Sequence, residues 1–167
     1  MKQLALDNSS AVFLAKIGLL PKLSKFFQLI ITDKIAEETR KGIEKGYRDA
    51  FIREELIKNG KILVINPKNA DKIEKDHKLK GADAGIISLA DEKDCLLATE
   101  DIVLQNTAKS LNIKVTNTAA LVYLFYAKEE ISKGQCLTIL DLLEQYGYNK
   151  EIILKIKEEI VKGDENE

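Results

Sequence analysis

The chain has 167 residues, of which 26 are Lys or Arg and 27 are Asp or Glu, so its formal net charge at pH 7 is −1. This length favours a single domain with a full core, and a content of 45% hydrophobic and 32% charged residues indicates a soluble globular protein. The near-zero net charge excludes a polycationic nucleic-acid-binding tail, so any contact with nucleic acid must use a local basic patch.

Short apolar runs alternate with helical periods along the chain. In chain order, the apolar runs predict strands at residues 3–6, 29–32, 62–65, 95–99 and 114–116. Capping residues and glycines predict helices at residues 9–17, near 21, at 33–44, 47–59, 71–78, 82–90, 101–111, 118–128, 132–146 and 150–161.

Strands separated by helices imply right-handed crossovers and a parallel sheet that is covered on both faces. We therefore predict an α/β fold, a three-layer sandwich with a central parallel sheet of about five short strands and added C-terminal helices. The predicted organisation is an α/β domain over residues 1–128, a helical extension over 129–161 packed on the same domain, and a frayed tail over 162–167.

The sequence contains few Cys and His residues that could bind a soft metal ion, and it shows no export signal. Two cysteines, Cys95 and Cys136, lie in apolar contexts, which fits a reducing cytoplasm. With a single His, they make a structural zinc site of Cys and His ligands improbable, so oxygen atoms must hold any metal. Neither a signal peptide nor an apolar stretch of about 20 residues is visible, so we expect a cytoplasmic protein without a membrane segment.

Several acids follow predicted strands, at the sheet edge where ligands bind in open α/β folds. Asp7 follows the first strand and Asp101 follows the fourth, while Asp83 begins the helix that leads to the fourth strand. Glu37 and Glu38 lie early in the helix after the second strand. Each acid also has a simpler use as a helix cap or as a complement to a helix dipole. If they converge, their repulsion favours protonation or a hard divalent ion such as Mg²⁺ or Mn²⁺.

Four motifs and a closing segment occur in an order and spacing that resemble PIN domains, the family of VapC-like metal-dependent ribonucleases. They are residues 4–10 (LALDNSS), 31–38 (ITDKIAEE), 81–87 (GADAGII), 96–101 (LLATED) and 108–121 (AKSLNIKVTNTAAL). The resemblance covers about residues 1–128, and the tail resembles the helical extension of an archaeal and bacterial subgroup.

The resemblance implies that an acidic quartet binds Mg²⁺ or Mn²⁺ and hydrolyses RNA. The quartet consists of Asp7, Glu38, Asp83 and Asp101, with Glu38 preferred to Glu37 because Ile35 takes the apolar position three residues before it. Ser9 and Thr99 are expected to orient carboxylates. Asn8 stands where the family often has Thr or Ser.

An acidic pocket repels the phosphates of RNA, so nearby cations must steer the substrate. The candidates, each close in sequence to a proposed site residue, are Lys16, Arg40, Lys41 and Lys80. A solvated helix face is the simpler interpretation of each. We find no interleaving of aromatic and basic residues of the kind that single-strand binders use, so sequence-specific recognition is not expected.

The resemblance further implies a homodimer and, if the chain is the toxin of a toxin–antitoxin pair, an antitoxin protein that blocks the acidic site. The main alternative is a non-enzymatic PIN-like binding or assembly module. A receiver or an aspartate-dependent phosphohydrolase is disfavoured, because Asn8 follows Asp7 and Asn66 and Pro67 end the third strand.

Overall fold

The structure of the protein is a computed structural model that describes residues 1–165. These residues form two compact units, one from Met1 to Thr116 and one that begins at Asn117. The predicted boundary at residue 128 and the packing of the C-terminal helices on the same domain stay predictions.

The first unit is built on the predicted parallel sheet. Its strands are β1 (Gln3–Leu6), β2 (Gln28–Ile31), β3 (Ile62–Val64), β4 (Leu96–Ala98) and β5 (Val115–Thr116). They lie in the order β3-β2-β1-β4-β5, and every neighbouring pair is parallel. Both the predicted fold class and the five predicted strands are confirmed.

Strand β1 lies at the centre of this sheet. Its Leu4 pairs with Leu29 of β2 on one side and with Leu96 of β4 on the other. Leu4, Ala5 and Leu6 are fully buried, as expected for a parallel strand that is covered on both faces.

Seven helices connect these strands in the described chain. They are α1 (Asn8–Lys16), α2 (Leu20–Leu23), α3 (Asp33–Glu44), α4 (Arg48–Lys58), α5 (Ala70–His77), α6 (Ala82–Glu92) and α7 (Ile102–Ser110). Helices α1 and α3 both contact α4, and α6 contacts both α5 and α7. Right-handed crossovers place α1–α4 over one face of the sheet and α5–α7 over the other.

The chain adds strands first on one side of β1 and then on the other. From β1 it proceeds through β2 to β3, then crosses back to β4 on the other side of β1 and ends at β5. The connections that leave β1 and β4 therefore depart over opposite faces, and the carboxyl ends of these two strands are the place where open α/β sheets bind ligands. Asp7 directly follows β1, and Asp101 caps the helix after β4.

The second unit contains three helices in residues 117–165, namely α8 (Thr118–Ala127), α9 (Lys133–Gln145) and α10 (Lys150–Glu165). Ser132 and Gln135 form a reciprocal capping box at the start of α9. Helix α10 continues four residues beyond its predicted end at 161. The predicted frayed tail falls partly on residues 166–167, which lie outside the described residues. No helix within residues 1–165 is long and apolar enough to cross a membrane.

A glycine permits the close approach of α3 and α4. A Cβ atom placed on Gly42 would lie 2.8 Å from the Cβ of Ala50, and also 3.6 Å from Cδ2 of Tyr47 and 3.7 Å from Nη2 of Arg53. Because both Cβ positions follow from the backbone, the helices must separate if Gly42 gains a side chain. Gly42 thus helps to place Arg53, whose contacts with the site are described below.

We expect Gly42→Ala to lower the free energy of unfolding by about 1–3 kcal/mol, because the added methyl overpacks the contact between α3 and α4. Gly163→Ala is the matched control: Gly163 is also helical, has no atom within 4 Å of an added Cβ, and should gain up to about 1 kcal/mol. Urea unfolding of the full chain measures both effects. Equal stability changes in the two variants would contradict the close contact.

Candidate active site

Asp7 joins the carboxyl ends of β1 and β4. Its backbone N–H donates to the carbonyl of Ala98 at 3.0 Å, which extends the pairing of the two strands. Its side chain is buried, and Oδ1 accepts the N–H of Asn8 at 2.8 Å, so that Asp7 caps α1.

The hydroxyl of Thr99 connects the two strand-end acids. Its Oγ1 donates to Oδ2 of Asp7 at 2.9 Å and accepts the backbone N–H of Asp101 at 3.1 Å. The Oγ of Ser9 donates to the same oxygen of Asp7 at 3.2 Å. Since Thr99 is fully buried, these hydrogen bonds hold Asp7 and the backbone of Asp101 in a defined relation.

Asp101 is exposed and caps α7, because its Oδ1 accepts the N–H of Leu104 at 3.0 Å. The simpler interpretation of Asp7 and Asp101 as helix caps is therefore correct for both. Capping does not account for the acids that accompany them.

Asp83 and Glu38 come from two other helices, α6 and α3. A Cβ atom on Gly85 of α6 would lie 3.5 Å from Cγ2 of Thr32, the residue that caps α3, so the starts of these helices lie against each other. Both carboxylates are partly exposed, and no donor within residues 1–165 hydrogen bonds to either of them. Glu37, the neighbouring alternative to Glu38, is exposed.

The charges of these four acids interact. Burial is the main cause that raises the pKa of Asp7, against three hydrogen bonds that lower it, and the charge of Asp101 raises it further. Burial and then the charges of Asp7 and Asp101 raise the pKa of Asp83. For Glu38, burial followed by the charges of Asp7 and Asp83 raises the pKa. The fold thus brings the four predicted acids into one cluster of like charge.

The acidic cluster has the donor chemistry that a hard divalent cation requires, since all its side-chain ligands are carboxylates. Within residues 1–165, however, no group of three or more His, Cys, Asp or Glu side chains stands arranged to hold a metal ion. The four carboxylates fit such an ion by the chemistry of their oxygen atoms.

The four predicted RNA-contacting cations, Lys16, Arg40, Lys41 and Lys80, are all exposed. Of these four, Lys41 is the one whose positive charge lowers the pKa of an acid in the cluster, namely Glu38. Contact of the four with RNA stays a prediction.

Arg53 is a buried cation beside this cluster that the sequence analysis does not identify. It is 4% exposed, and its Nη1 donates to Oδ1 of Asn8 at 2.7 Å and to Oγ1 of Thr39 at 3.1 Å, while its Nη2 pairs with Asp49 at 3.0 Å. Its charge also lowers the pKa of Glu38. The spacing of Asp49 and Arg53 on the face that carries Ala50 and Leu56 is the signal that could have revealed it.

A family model described as DUF3368, PIN domain, matches residues 4–161. The solved structure of PAE2754 from Pyrobaculum aerophilum is similar in fold, with 18% identity, a TM-score of 0.56, and coverage of 75% of this chain and 96% of that one. The structure of VapBC2 from Rickettsia felis bound to a DNA fragment from their promoter has 16% identity and a TM-score of 0.51, with 68% and 97% covered. No curated protein sequence matches the chain.

The raised pKa values make the stability of the metal-free protein depend on pH. Because the folded state binds protons at Asp7, Glu38 and Asp83 more tightly than the unfolded chain, these groups destabilise the protein above their folded pKa values and cease to do so as the pH falls toward 4. In EDTA, we expect Asp83→Asn to melt at a higher temperature than the wild type at pH 7, with a smaller difference at pH 5.

The control for this measurement is Asp91→Asn, which neutralises an exposed acid at the other end of α6. Its melting temperature should follow that of the wild type across the same pH range. A melting difference for Asp83→Asn that is constant between pH 5 and pH 7 would contradict the charge cluster.

Arg53→Met removes the partner of buried Asp49 and should lower the free energy of unfolding by about 3–5 kcal/mol. The double variant Arg53→Met/Asp49→Leu should recover much of this loss, because it leaves no unpaired charge. Arg48→Met, at an exposed position of the same helix, is the control, and urea unfolding measures all three. A loss below about 1 kcal/mol in Arg53→Met would refute a structural role for the pair.

Proposed function

The chain belongs to the PIN-domain family, whose model spans residues 4–161, and from this premise we propose that it is a metal-dependent ribonuclease. It would hydrolyse RNA phosphodiester bonds at Asp7, Glu38, Asp83 and Asp101. The observation that carries the proposal is the convergence of these acids at the carboxyl edge of the sheet, where burial and mutual repulsion raise the pKa of three of them.

Asp7 and Asp101 are the proposed direct ligands of Mg²⁺ or Mn²⁺, because the strand ends and the helix caps hold their positions. Asp83 would complete the coordination, either directly or through water, while Glu38 would either hold a second ion or act as the general base. A bound divalent ion supplies positive charge that acidifies water and offsets the charge of the transition state. Thr99 and Ser9 orient Asp7 through their hydrogen bonds.

Glu38 is our choice for the general base. Its raised pKa makes it a better proton acceptor than an ordinary carboxylate, and no donor among residues 1–165 hydrogen bonds to its oxygens. In the proposed reaction, the oxygen of water forms a bond to phosphorus and a proton of that water passes to Glu38. The bond from phosphorus to the oxygen of the neighbouring nucleotide breaks, and that oxygen leaves with the electron pair and takes a proton from solvent. The exposed cations Lys16, Arg40, Lys41 and Lys80 would offset phosphate charge along the substrate.

A role as the toxin of a toxin–antitoxin pair extends this proposal. A protein partner that covers the acidic edge with basic side chains would block both metal and RNA. The homodimer and the cytoplasmic location are likewise part of the proposal. The likeness to VapBC2 is a likeness of fold and adds no evidence on the partner.

One observation favours a second candidate, a PIN-like binding or assembly module without catalysis. The described residues present no ready group of three acidic metal ligands, as expected of a site that does not bind metal. Metal binding therefore discriminates between the two candidates.

The decisive experiment is cleavage of a mixed single-stranded RNA pool by the wild-type chain and by Asp7→Asn, in Mg²⁺, Mn²⁺ or EDTA. We expect cleavage that requires metal and falls by about 100-fold in Asp7→Asn. Removal of a metal ligand should reduce activity at least as much as removal of a side chain that hydrogen bonds to the ligand. Asp91→Asn should cleave like the wild type.

Calorimetric titration with Mn²⁺ accompanies this assay. Binding that weakens in Asp7→Asn supports the nuclease, whereas no binding to the wild type supports the module. Cleavage that persists in Asp7→Asn would show that the assignment of the site is wrong.

A further inference from the structure

Two aromatic rings lie open to solvent where α3 turns into α4. Tyr47 precedes α4 and Phe51 lies about one helical turn later, and each is 53% exposed. Rings of this size normally lose most of their surface on folding, so a neighbouring pair that remains half exposed marks a contact surface.

Exposed cations lie near the two rings in the chain, and one of them lies over the Tyr47 ring. The Nζ of Lys45 lies 6.0 Å from the centroid of the Tyr47 ring, and Arg48 lies between the rings in sequence and is exposed. Arg40 and Lys41 add two exposed cations at the end of α3, and Glu44 is the one exposed acid within residues 40–51. The nearby Asp49 is buried and paired with Arg53, so it contributes no free negative charge.

This surface is contiguous with the acidic cluster. The Tyr47 ring and Nη2 of Arg53 both lie beside Gly42, and Arg53 in turn donates to Asn8, the residue after Asp7. Lys41 lies one turn after Glu38 on the same face of α3. A chain of contacts therefore leads from the Tyr47 ring through Arg53 to Asn8, the residue next to Asp7.

We propose that Tyr47 and Phe51, with Lys45 and Arg48 beside them, form a platform on which the bases of single-stranded RNA stack while the cations neutralise its phosphates. The inference rests on the proposed ribonuclease function and adds the residues that would hold the unpaired strand.

Two arguments favour RNA over a protein partner at this surface. The excess of exposed cations complements a polyanion. Residues 45–51 also alternate Lys45 and Arg48 with the two rings, which is the arrangement that single-strand binders use, so the prediction of no such interleaving is wrong for this segment. Every base has a stacking face, whereas a duplex hides its faces within the helix, so the platform should discriminate strandedness and not base sequence.

The test is binding of a fluorescent 12-nucleotide single strand and of its duplex to the full chain in EDTA, followed by anisotropy. Because Tyr47→Leu/Phe51→Leu removes both stacking faces, it should weaken single-strand binding by at least about tenfold. The ring-retaining pair Tyr47→Phe/Phe51→Tyr should bind within about threefold of the wild type, and duplex binding should be unaffected by either pair.

Leucine keeps the surface apolar but removes the stacking face, which makes the comparison specific. Single-strand binding that survives in the leucine pair overturns the platform and leaves the rings to a protein partner. Absence of single-strand binding by the wild type overturns it as well. Tyr146→Leu, at an exposed tyrosine of the second unit, controls for loss of a surface ring, and urea unfolding checks that every variant folds.

The outcome is separable from that of the nuclease proposal. Ring-dependent binding without metal-dependent cleavage supports the platform and rejects the nuclease. If the wild type cleaves RNA, the leucine pair should raise KM with little change in kcat, because the rings contact the substrate away from the reacting phosphate. Cleavage with an unchanged KM in the leucine pair supports the nuclease and rejects the platform.

Discussion

The hydrogen bonds of one buried hydroxyl organise the acidic edge of the sheet. Thr99 donates to Asp7 at the end of β1 and accepts from the backbone of Asp101 beyond β4. Two acids that are 94 residues apart in the chain thereby acquire a fixed relation at the carboxyl edge of the sheet. The other two acids come from helices α3 and α6, and no donor within residues 1–165 hydrogen bonds to their carboxylates.

The cluster carries a cost in stability that the fold offsets in part. Burial and repulsion disfavour the charged forms of Asp7, Glu38 and Asp83, while hydrogen bonds to Asp7 and the charges of Lys41 and Arg53 near Glu38 act in the opposite direction. Of these two cations, Arg53 is buried, and it forms a salt bridge with Asp49. A divalent cation would relieve the repulsion that remains among these carboxylates. The charge arrangement that destabilises the metal-free protein is therefore the one that would favour binding of the proposed metal ion.

The corner between α3 and α4 serves both stability and surface chemistry. Gly42 lets the helices approach, and the approach puts Arg53 beneath Asn8 while Tyr47 is left at the surface. Packing on the inner side of this corner and an exposed aromatic and basic surface on its outer side thus have a common origin. A change at Gly42 would disturb both.

Much of this protein follows from local sequence. The apolar runs predict all five strands, and Thr32, Asp101 and Ser132 cap the helices where the pattern indicates, because strand burial and capping depend on residues a few positions apart. The four acids were found from their places after strands and in motifs, since parallel strands end at one edge. The end of α10 was predicted four residues early, because no strong stop signal precedes the acidic tail.

Tertiary structure alone decided how these residues act together. The link through Thr99, the burial of Arg53 and its bond to Asn8 join positions far apart in the chain, and no local pattern encodes such distances. The surface at Tyr47 and Phe51 differs, because its rings and cations all lie within residues 45–51, and the folded chain decided only that both rings stay half exposed. Charge, periodicity and capping are local properties that a sequence displays directly, but burial and contact depend on which elements meet, and only the folded chain determines that.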